Sequence, residues 1–128
     1  MNVVVDASAL GAVLFEEPEA EAVLAHISSD TLVAPELIDY EIANIALMKI
    51  RRGQQPEAVA IAMMGGLKFL GLRRLRVSPM EVIVLARSSG LSAYDAAYLW
   101  LAVSLDAKLV TLDRQLARAD RALRGDSS

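Results

Sequence analysis

Hydrophobic positions change their period several times along the chain. Val3-Val4-Val5 is a β-branched run that stops at Asp6, and such a run reads as a buried strand rather than one stripe of a helix. From Ala9 to Phe15 the pattern turns helical, with Ser8 placed as its N-cap, and Pro18 at a first-turn position predicts a second helix through Ile27. Thr31-Leu32-Val33 predicts the second strand. Pro35 then opens a longer helix that ends near Arg51-Arg52-Gly53, where glycine supplies the stop. Pro56 restarts helix, which is expected to run to about Leu70 across Gly65-Gly66.

The second half repeats this alternation. Leu75-Arg76-Val77 predicts a third short strand, and Ser78-Pro79-Met80-Glu81 combines an N-cap, a proline at the first helical position and a capping-box acid. Gly90 ends that helix, Ser92 caps the next from Ala93 to Leu105, and Lys108-Leu109-Val110-Thr111 predicts the last strand. A C-terminal helix follows from Arg114, and the tail 125–128 is expected to fray. Short strands separated by helices need crossover connections, which yield a mainly parallel sheet with helices on both faces, an α/β fold. Nothing in composition splits the chain, so residues 1–124 are expected to form a single domain.

Composition narrows the chemistry. Apolar residues make up 55% of the 128 and charged residues only 23%, which leaves apolar surface for partners and hints at oligomerisation. The most apolar stretch, 58–67, has ten residues and two glycines, far short of the about twenty that a membrane span requires. The start lacks a basic region and a small-residue cleavage site, so the chain is expected in the cytoplasm. With no cysteine, disulfides, thiolate zinc sites and thiol nucleophiles are excluded, and chemistry falls to oxygen and nitrogen groups. A formal charge of −3 argues against a nucleic-acid partner at first sight. That balance turns positive if four of the acids serve a cation, and ten of the thirteen basic residues are arginine, the better bidentate phosphate ligand.

Four acids stand out by position. Asp6 ends the first predicted strand, Asp113 follows the last one, and Asp95 lies in the first turn of a helix expected to start at the same rim. Ligands of open parallel sheets gather at that carboxyl rim, near the point where strand order reverses. Glu41 falls inside the helix after strand two, sharing a face with Asn44, while Ile38, Ile42 and Ile45 form the neighbouring apolar stripe. Each acid has a structural explanation: Asp95 as N3 of a capping box with Ser92, Asp113 as an N-cap, Asp6 in an Asx-turn, Glu41 solvated. Together they differ, because carboxylates crowded at one edge repel unless protons or cations offset them. A cluster of hard oxygen ligands therefore predicts Mg²⁺ or Mn²⁺ rather than zinc.

Val3-Val4-Val5-Asp6-Ala7-Ser8-Ala9-Leu10, Tyr40-Glu41-Ile42-Ala43-Asn44, Ser92-Ala93-Tyr94-Asp95-Ala96-Ala97-Tyr98-Leu99 and Val110-Thr111-Leu112-Asp113-Arg114-Gln115-Leu116 resemble, in order, the four signature blocks of PIN-domain ribonucleases, in particular the VapC-type toxins of toxin–antitoxin pairs. The resemblance spans nearly the whole chain and draws its specificity from order and spacing, since each block alone is weak. It implies a PIN-like three-layer α/β/α fold and metal-dependent hydrolysis of phosphodiester bonds in single-stranded RNA. By it, Asp6, Glu41, Asp95 and Asp113 form the acidic quartet, Ser8 and Thr111 are its polar support, and Asn44 matches a frequent family asparagine. It also implies a homodimer and a small antitoxin whose amphipathic segment lies in an apolar groove and blocks the acidic pocket.

In that reading Asp6 and Asp95 hold a metal, and Glu41 and Asp113 bind it through waters or complete a second site. The route that activates a ribose 2′-hydroxyl needs two histidines, and the chain has only His26, read here as a surface or satisfied helical residue. Water attack leaves a 5′-phosphate. RNA-backbone candidates are Arg114 and Arg118, one turn apart beside Asp113, together with Lys49, Arg51 and Arg52, whereas Arg73-Arg74-Leu75-Arg76 reads as a loop on the far side. Residues 58–72 hold more apolar side chains than one buried helix face requires, most of them expected to cover the sheet, while Tyr98 and Trp100 read as core. Two alternatives remain at this point: a catalytically silent PIN scaffold, and a receiver-like domain phosphorylated on Asp6. A dehalogenase-like phosphatase resembles the chain only superficially, because Ser8 stands where its second aspartate belongs.

Overall fold

The computed structural model describes residues 1–27 and 29–125. Four parallel strands form one sheet: β1 (Asn2–Val5), β2 (Thr31–Pro35), β3 (Arg73–Leu75) and β4 (Lys108–Val110), in the order β3-β2-β1-β4. Helices α1 (Ala7–Leu14) and α2 (Ala20–Ile27) connect β1 to β2, and α3 (Ile38–Arg51) and α4 (Glu57–Met64) connect β2 to β3. Helices α5 (Pro79–Ser89) and α6 (Ala93–Leu105) lead to β4, and α7 (Arg114–Arg124) closes the described chain. The path steps outward from β1 to β3 and then returns to the opposite side of β1. Strand order therefore reverses between β1 and β4, which creates a crevice at their carboxyl ends.

Burial follows the sequence pattern. Val3, Val4 and Val5 are all buried, as a strand covered on both faces demands. Helix α6 packs across β1, β2 and β4, and its run from Ala96 to Leu99 is buried on every side. On α1, Ala9 and Leu10 are wholly buried, and Gly11 lets Ile45 of α3 approach: a Cβ at that position would lie 3.2 Å from Ile45 Cδ1. Helix α7 is tied back by Arg124, which donates to Asp120 Oδ1 at 2.7 Å and to the carbonyls of Ala107 at 2.7 Å and Ala102 at 3.3 Å. Gly90 ends α5 with φ of 69°, the left-handed conformation that glycine adopts without a Cβ clash.

Several boundaries differ from the sequence reading. Pro35 closes β2 instead of opening a helix. The Glu36 N–H donates to Leu75 O on the β3 side, so alternation points the N–H-less face of Pro35 toward β1, whose pairing with β2 has already stopped at Val33. Helix α3 starts three residues later. Pro18 lies in a turn, and α2 begins at Ala20. The helix expected from Pro56 to Leu70 gives way at Gly65-Gly66 to a 3-10 turn over Gly65–Phe69, where the poor helix formers tighten the winding. It packs on α3 rather than on the sheet. Ala60, Leu67 and Leu72 are buried, while Val59, Ile61 and Phe69 stay exposed.

The third strand is Arg73–Leu75, two residues earlier than Leu75-Arg76-Val77, and the arginines expected in a far-side loop build it. An edge strand pairs on one side only and tolerates charge, and Arg74 forks onto Asp39 at 2.6 and 2.8 Å. Thr111 falls just past the end of β4. Apart from Gly125, the tail expected to fray lies outside the described residues.

Candidate active site

The strand-order reversal places the end of β1 beside the end of β4, and the sequence puts Asp6 at one and Thr111 at the other. Asp6 is both the residue after β1 and the N-cap of α1: its Oδ1 accepts from Ala9 N at 3.0 Å. The cap is thus Asp6 and not Ser8, as the sequence pattern had indicated. Ser8 instead donates its hydroxyl to Asp6 Oδ1 at 2.7 Å and accepts from Leu112 N at 3.0 Å, stitching α1 to the loop after β4. Thr111 Oγ1 donates to Asp6 Oδ2 at 2.5 Å and accepts from Asp113 N at 3.0 Å. Both oxygens of Asp6 are therefore held, and the residue is only 4% exposed.

The remaining acids come from helix starts that face the same crevice. Asp113 caps α7, its Oδ1 accepting from Leu116 N at 2.9 Å. Asp95 sits in the first turn of α6, whose cap Ser92 accepts from Asp95 N at 3.1 Å; the N-cap role read for Asp113 is present, while of the Ser92–Asp95 capping box the described residues show this half alone. Glu41, in the first turn of α3, is half-buried and not freely solvated. Its Oε1 accepts from the Tyr98 hydroxyl at 2.5 Å. Tyr98 is the supporting residue that sequence reasoning missed. It is buried as expected of core, yet it lies three residues after Asp95, on the same face of α6, and that spacing was the available signal.

The four carboxylates act on one another. Burial pushes the Asp6 carboxyl above its ordinary value, against the pull of its bonds from Thr111, Ala9 and Ser8, and the charge of Asp113 adds to the rise. Glu41 is raised by burial and by Asp95 and Asp6, with Tyr98 opposing. Asp95 is raised by burial and then by Asp113 and Asp6. Tyr98 is itself pushed far up, by burial and by its bond to Glu41, and stays protonated as a donor. Among the described residues the ion pairs are Met1 with Asp30, Lys49 with Glu17, Arg74 with Asp39 and Arg124 with Asp120, and none includes an acid of this cluster. Also among the described residues, no three His, Cys, Asp or Glu side chains stand ready-closed around a point that an ion would occupy. The donor chemistry nonetheless fits a hard divalent cation: hard carboxylate oxygens, mutually destabilising and lacking a protein counter-charge.

The other sequence candidates divide by position. Arg114 and Arg118 are exposed on α7 beside Asp113. Lys49 pairs with Glu17 in a small cleft that Ser8, Ile45 and Leu112 also line. Arg51 and Arg52 lie at the far end of α3, about 15 Å along its axis from Glu41 at 1.5 Å per residue. Asn44 lines a cavity of about 400 Å³ together with Glu41. His26 is exposed, its Nδ1 3.1 Å from Lys108 Nζ at the amino end of β4, away from the acids. Trp100 is half-buried and donates to Glu81 at 3.2 Å.

Known proteins resemble this chain in sequence and in fold. Residues 3–122 match the model of the PIN domain. Ribonuclease VapC3 of Pyrobaculum aerophilum is 37% identical over 96% of this chain and 98% of its own, and ribonuclease VapC9 of Mycobacterium tuberculosis is 36% identical over 94% and 92%. The crystal structure of PAE2754 from Pyrobaculum aerophilum superposes with a TM-score of 0.76 at 30% identity, covering 98% of this chain and 90% of that one. The three-layer α/β/α architecture, the acids at the switch point and these likenesses agree: the chain belongs to the PIN domain family, among its VapC-type members.

Proposed function

We propose that this chain is an endoribonuclease that uses Mg²⁺ or Mn²⁺ to hydrolyse single-stranded RNA, and that it serves as the toxin of a toxin–antitoxin pair. The observation that carries this reading is the set of four carboxylates at the β1/β4 crevice, three of them (Asp6, Glu41 and Asp95) raised by burial and then by neighbouring acids, and none paired with a basic side chain among the described residues. The names of the ribonuclease relatives support the substrate class. A receiver-like role gains no support from the likenesses, which run to the PIN domain and to ribonucleases.

Asp6 and Asp95 are the residues to hold the cation, with Glu41 and Asp113 binding through water or completing a second site. When bound, the cation supplies an activated water and neutralises charge that builds on the phosphoryl oxygens and leaving group. The protein's own part is positional. Ser8, Thr111 and the α1 backbone hold Asp6 in one rotamer, so its oxygens keep their direction without reorganisation. Tyr98 fixes Glu41 through Oε1 and leaves Oε2 without a hydrogen bond among the described residues; this acid, raised by burial and then by Asp95 and Asp6, is suited to take a proton from the attacking water. The leaving ribose oxygen departs as a 3′-hydroxyl, and the product carries a 5′-phosphate.

Arg114 and Arg118 are the basic residues nearest Asp113 on the rim and the first candidates to hold the RNA backbone. The exposed Val59, Ile61 and Phe69 give an antitoxin segment an apolar surface, and Met80, Ile83 and Val84 of α5 give one to a second copy of the chain. No helix among the described residues is long and apolar enough to cross a membrane. The test compares wild type with Asp6→Asn and Asp95→Asn on an RNA pool with Mg²⁺, Mn²⁺ or EDTA. Cation-dependent cleavage to 5′-phosphate ends, abolished in both variants, is expected. Equal cleavage in all lanes overturns the assignment.

A further inference from the structure

Two tyrosines stand immediately before two of the acids, and the mechanism uses neither. Tyr40 precedes Glu41 in the first turn of α3, and Tyr94 precedes Asp95 in the first turn of α6. Neighbouring residues on a helix project about 100° apart, so a side chain next to an inward-facing acid emerges at the rim of the site. Tyr40 is 81% exposed and Tyr94 65%, an unusual state for aromatic side chains in a chain that holds only six Phe, Tyr or Trp residues. They come from opposite halves of the sequence. Nevertheless both line one cavity of about 400 Å³, whose wall also includes Ala7, Leu37, Asn44 and Glu41.

We infer that Tyr40 and Tyr94 form a stacking platform for a base of the single-stranded RNA next to the scissile phosphate, with Asn44 at its edge as a hydrogen-bonding group. The inference rests on the ribonuclease reading above. Four features of the cavity favour a nucleotide over a protein segment. Its volume falls in the range of small-molecule sites, about 300–1,000 Å³. Its largely apolar lining includes two aromatic side chains, Tyr40 and Tyr94, and aromatic rings bind any base because every base presents a π surface. It carries an amide, the side-chain type that reads base edges with both a donor and an acceptor. Finally, Glu41 belongs to the cavity and to the acid cluster alike, so a base lodged there has its phosphate directed to the acids. An apolar helix seated on the same wall would instead strip water from the Glu41 carboxylate without supplying a partner for it.

These are positioning residues: they set where the chain of nucleotides lies and leave the reacting atoms to the acids. The arrangement also explains how an acidic site retains RNA. Stacking attraction does not depend on charge, so it offsets phosphate repulsion while the cation handles only the phosphate being cut.

The experiment uses full-length protein and a short single-stranded RNA carrying one 2-aminopurine, whose fluorescence falls on stacking. Tyr40→Leu and Tyr94→Leu keep an apolar side chain but remove the π face; Tyr40→Phe and Tyr94→Phe keep it. Each Leu variant is expected to weaken RNA binding and raise KM roughly 10-fold, with kcat held within a few-fold, and to lose the quenching. The Phe variants should bind and quench as wild type does. If wild type cleaves RNA with Mg²⁺ and the Leu variants match it in KM and quenching, the platform is refuted while the nuclease reading stands. If wild type fails to cleave, the nuclease reading fails first. Unchanged RNA binding in Leu variants that lose self-association or a protein partner would assign the tyrosines to a protein interface and overturn the inference.

Discussion

Removing one oxygen atom tests the coupling between α3 and α6. In Tyr98→Phe the ring keeps its place, because Tyr98 is 1% exposed and packed in the core, and only the hydroxyl that donates to Glu41 Oε1 at 2.5 Å is lost. A hydrogen bond to a charged acceptor contributes roughly 1.5–3 kcal/mol, and the half-buried Glu41 retains some access to water, so about 1.5 kcal/mol is the relevant end. The bond favours the carboxylate form, and its loss raises the Glu41 pKa further. At 1.36 kcal/mol per unit the rise is about one pH unit. Titration of the Glu41 carboxyl carbon by NMR should move up by that amount, and the acid limb of the pH–rate profile for RNA cleavage should move with it. At pH well above both midpoints the rate should return to within a few-fold of wild type. A titration midpoint that stays put or falls would refute the role given to Tyr98, whatever happens to activity.

Other consequences can be checked on the same protein. Asp6, Glu41 and Asp95 are raised in the folded state above ordinary values of 3.8, 4.5 and 3.8, so the native form holds protons that the unfolded chain has released. Stability of cation-free protein should therefore fall as pH rises from those ordinary values through the raised ones and then level off. Mg²⁺ should restore it at pH 7.5, by about 2.7 kcal/mol at a hundredfold excess over Kd, and add little at pH 4; scanning calorimetry that shows the opposite slope contradicts the electrostatics. Gly11→Ala meets only the flexible end of Ile45 and should alter stability by under about 1 kcal/mol, whereas Gly11→Leu overfills the α1–α3 contact and should cost about 1–3 kcal/mol in urea denaturation. Arg124→Met leaves buried Asp120 without its partner and takes the guanidinium donor from the Ala107 and Ala102 carbonyls, the latter still accepting from Ala107 N, an expected loss of about 3 kcal/mol, and wild-type stability in that variant would show α7 to be held by its apolar face alone.

The sequence was most legible where one local rule sufficed. Val3-Val4-Val5, the Ser78-Pro79 start and the Ser92 cap needed only neighbours in the chain, and they stand where the pattern put them. Pro35 was misread because a helix-opening proline and a strand-closing proline look alike until the partner strand's end is known. The third strand was placed two residues late, at Leu75-Arg76-Val77 instead of Arg73–Leu75, because an edge strand needs only one inward side chain, and hydrophobic pattern is the sole signal of a three-residue strand. The acids themselves were singled out by order and spacing, and their role is the one proposed above. Their supports were less visible: Ser8 looked like a cap until Asp6 took that role, and Tyr98 looked like plain core because its hydroxyl meets a residue 57 positions away.

Of the bonds that hold the Asp6 side chain, those from Ser8 and Ala9 are local, while that from Thr111 spans 105 positions. Until β4 docks beside β1, Asp6 lacks its Thr111 bond, Ser8 lacks its tie to Leu112 and Asp113 has no place at the rim. A chain still emerging from the ribosome, with its last strand unmade, therefore carries every early acid yet no assembled centre. The topology itself delays assembly of the centre until the strand made after all the others has docked beside the first, which is a safeguard for any cell that makes such a nuclease.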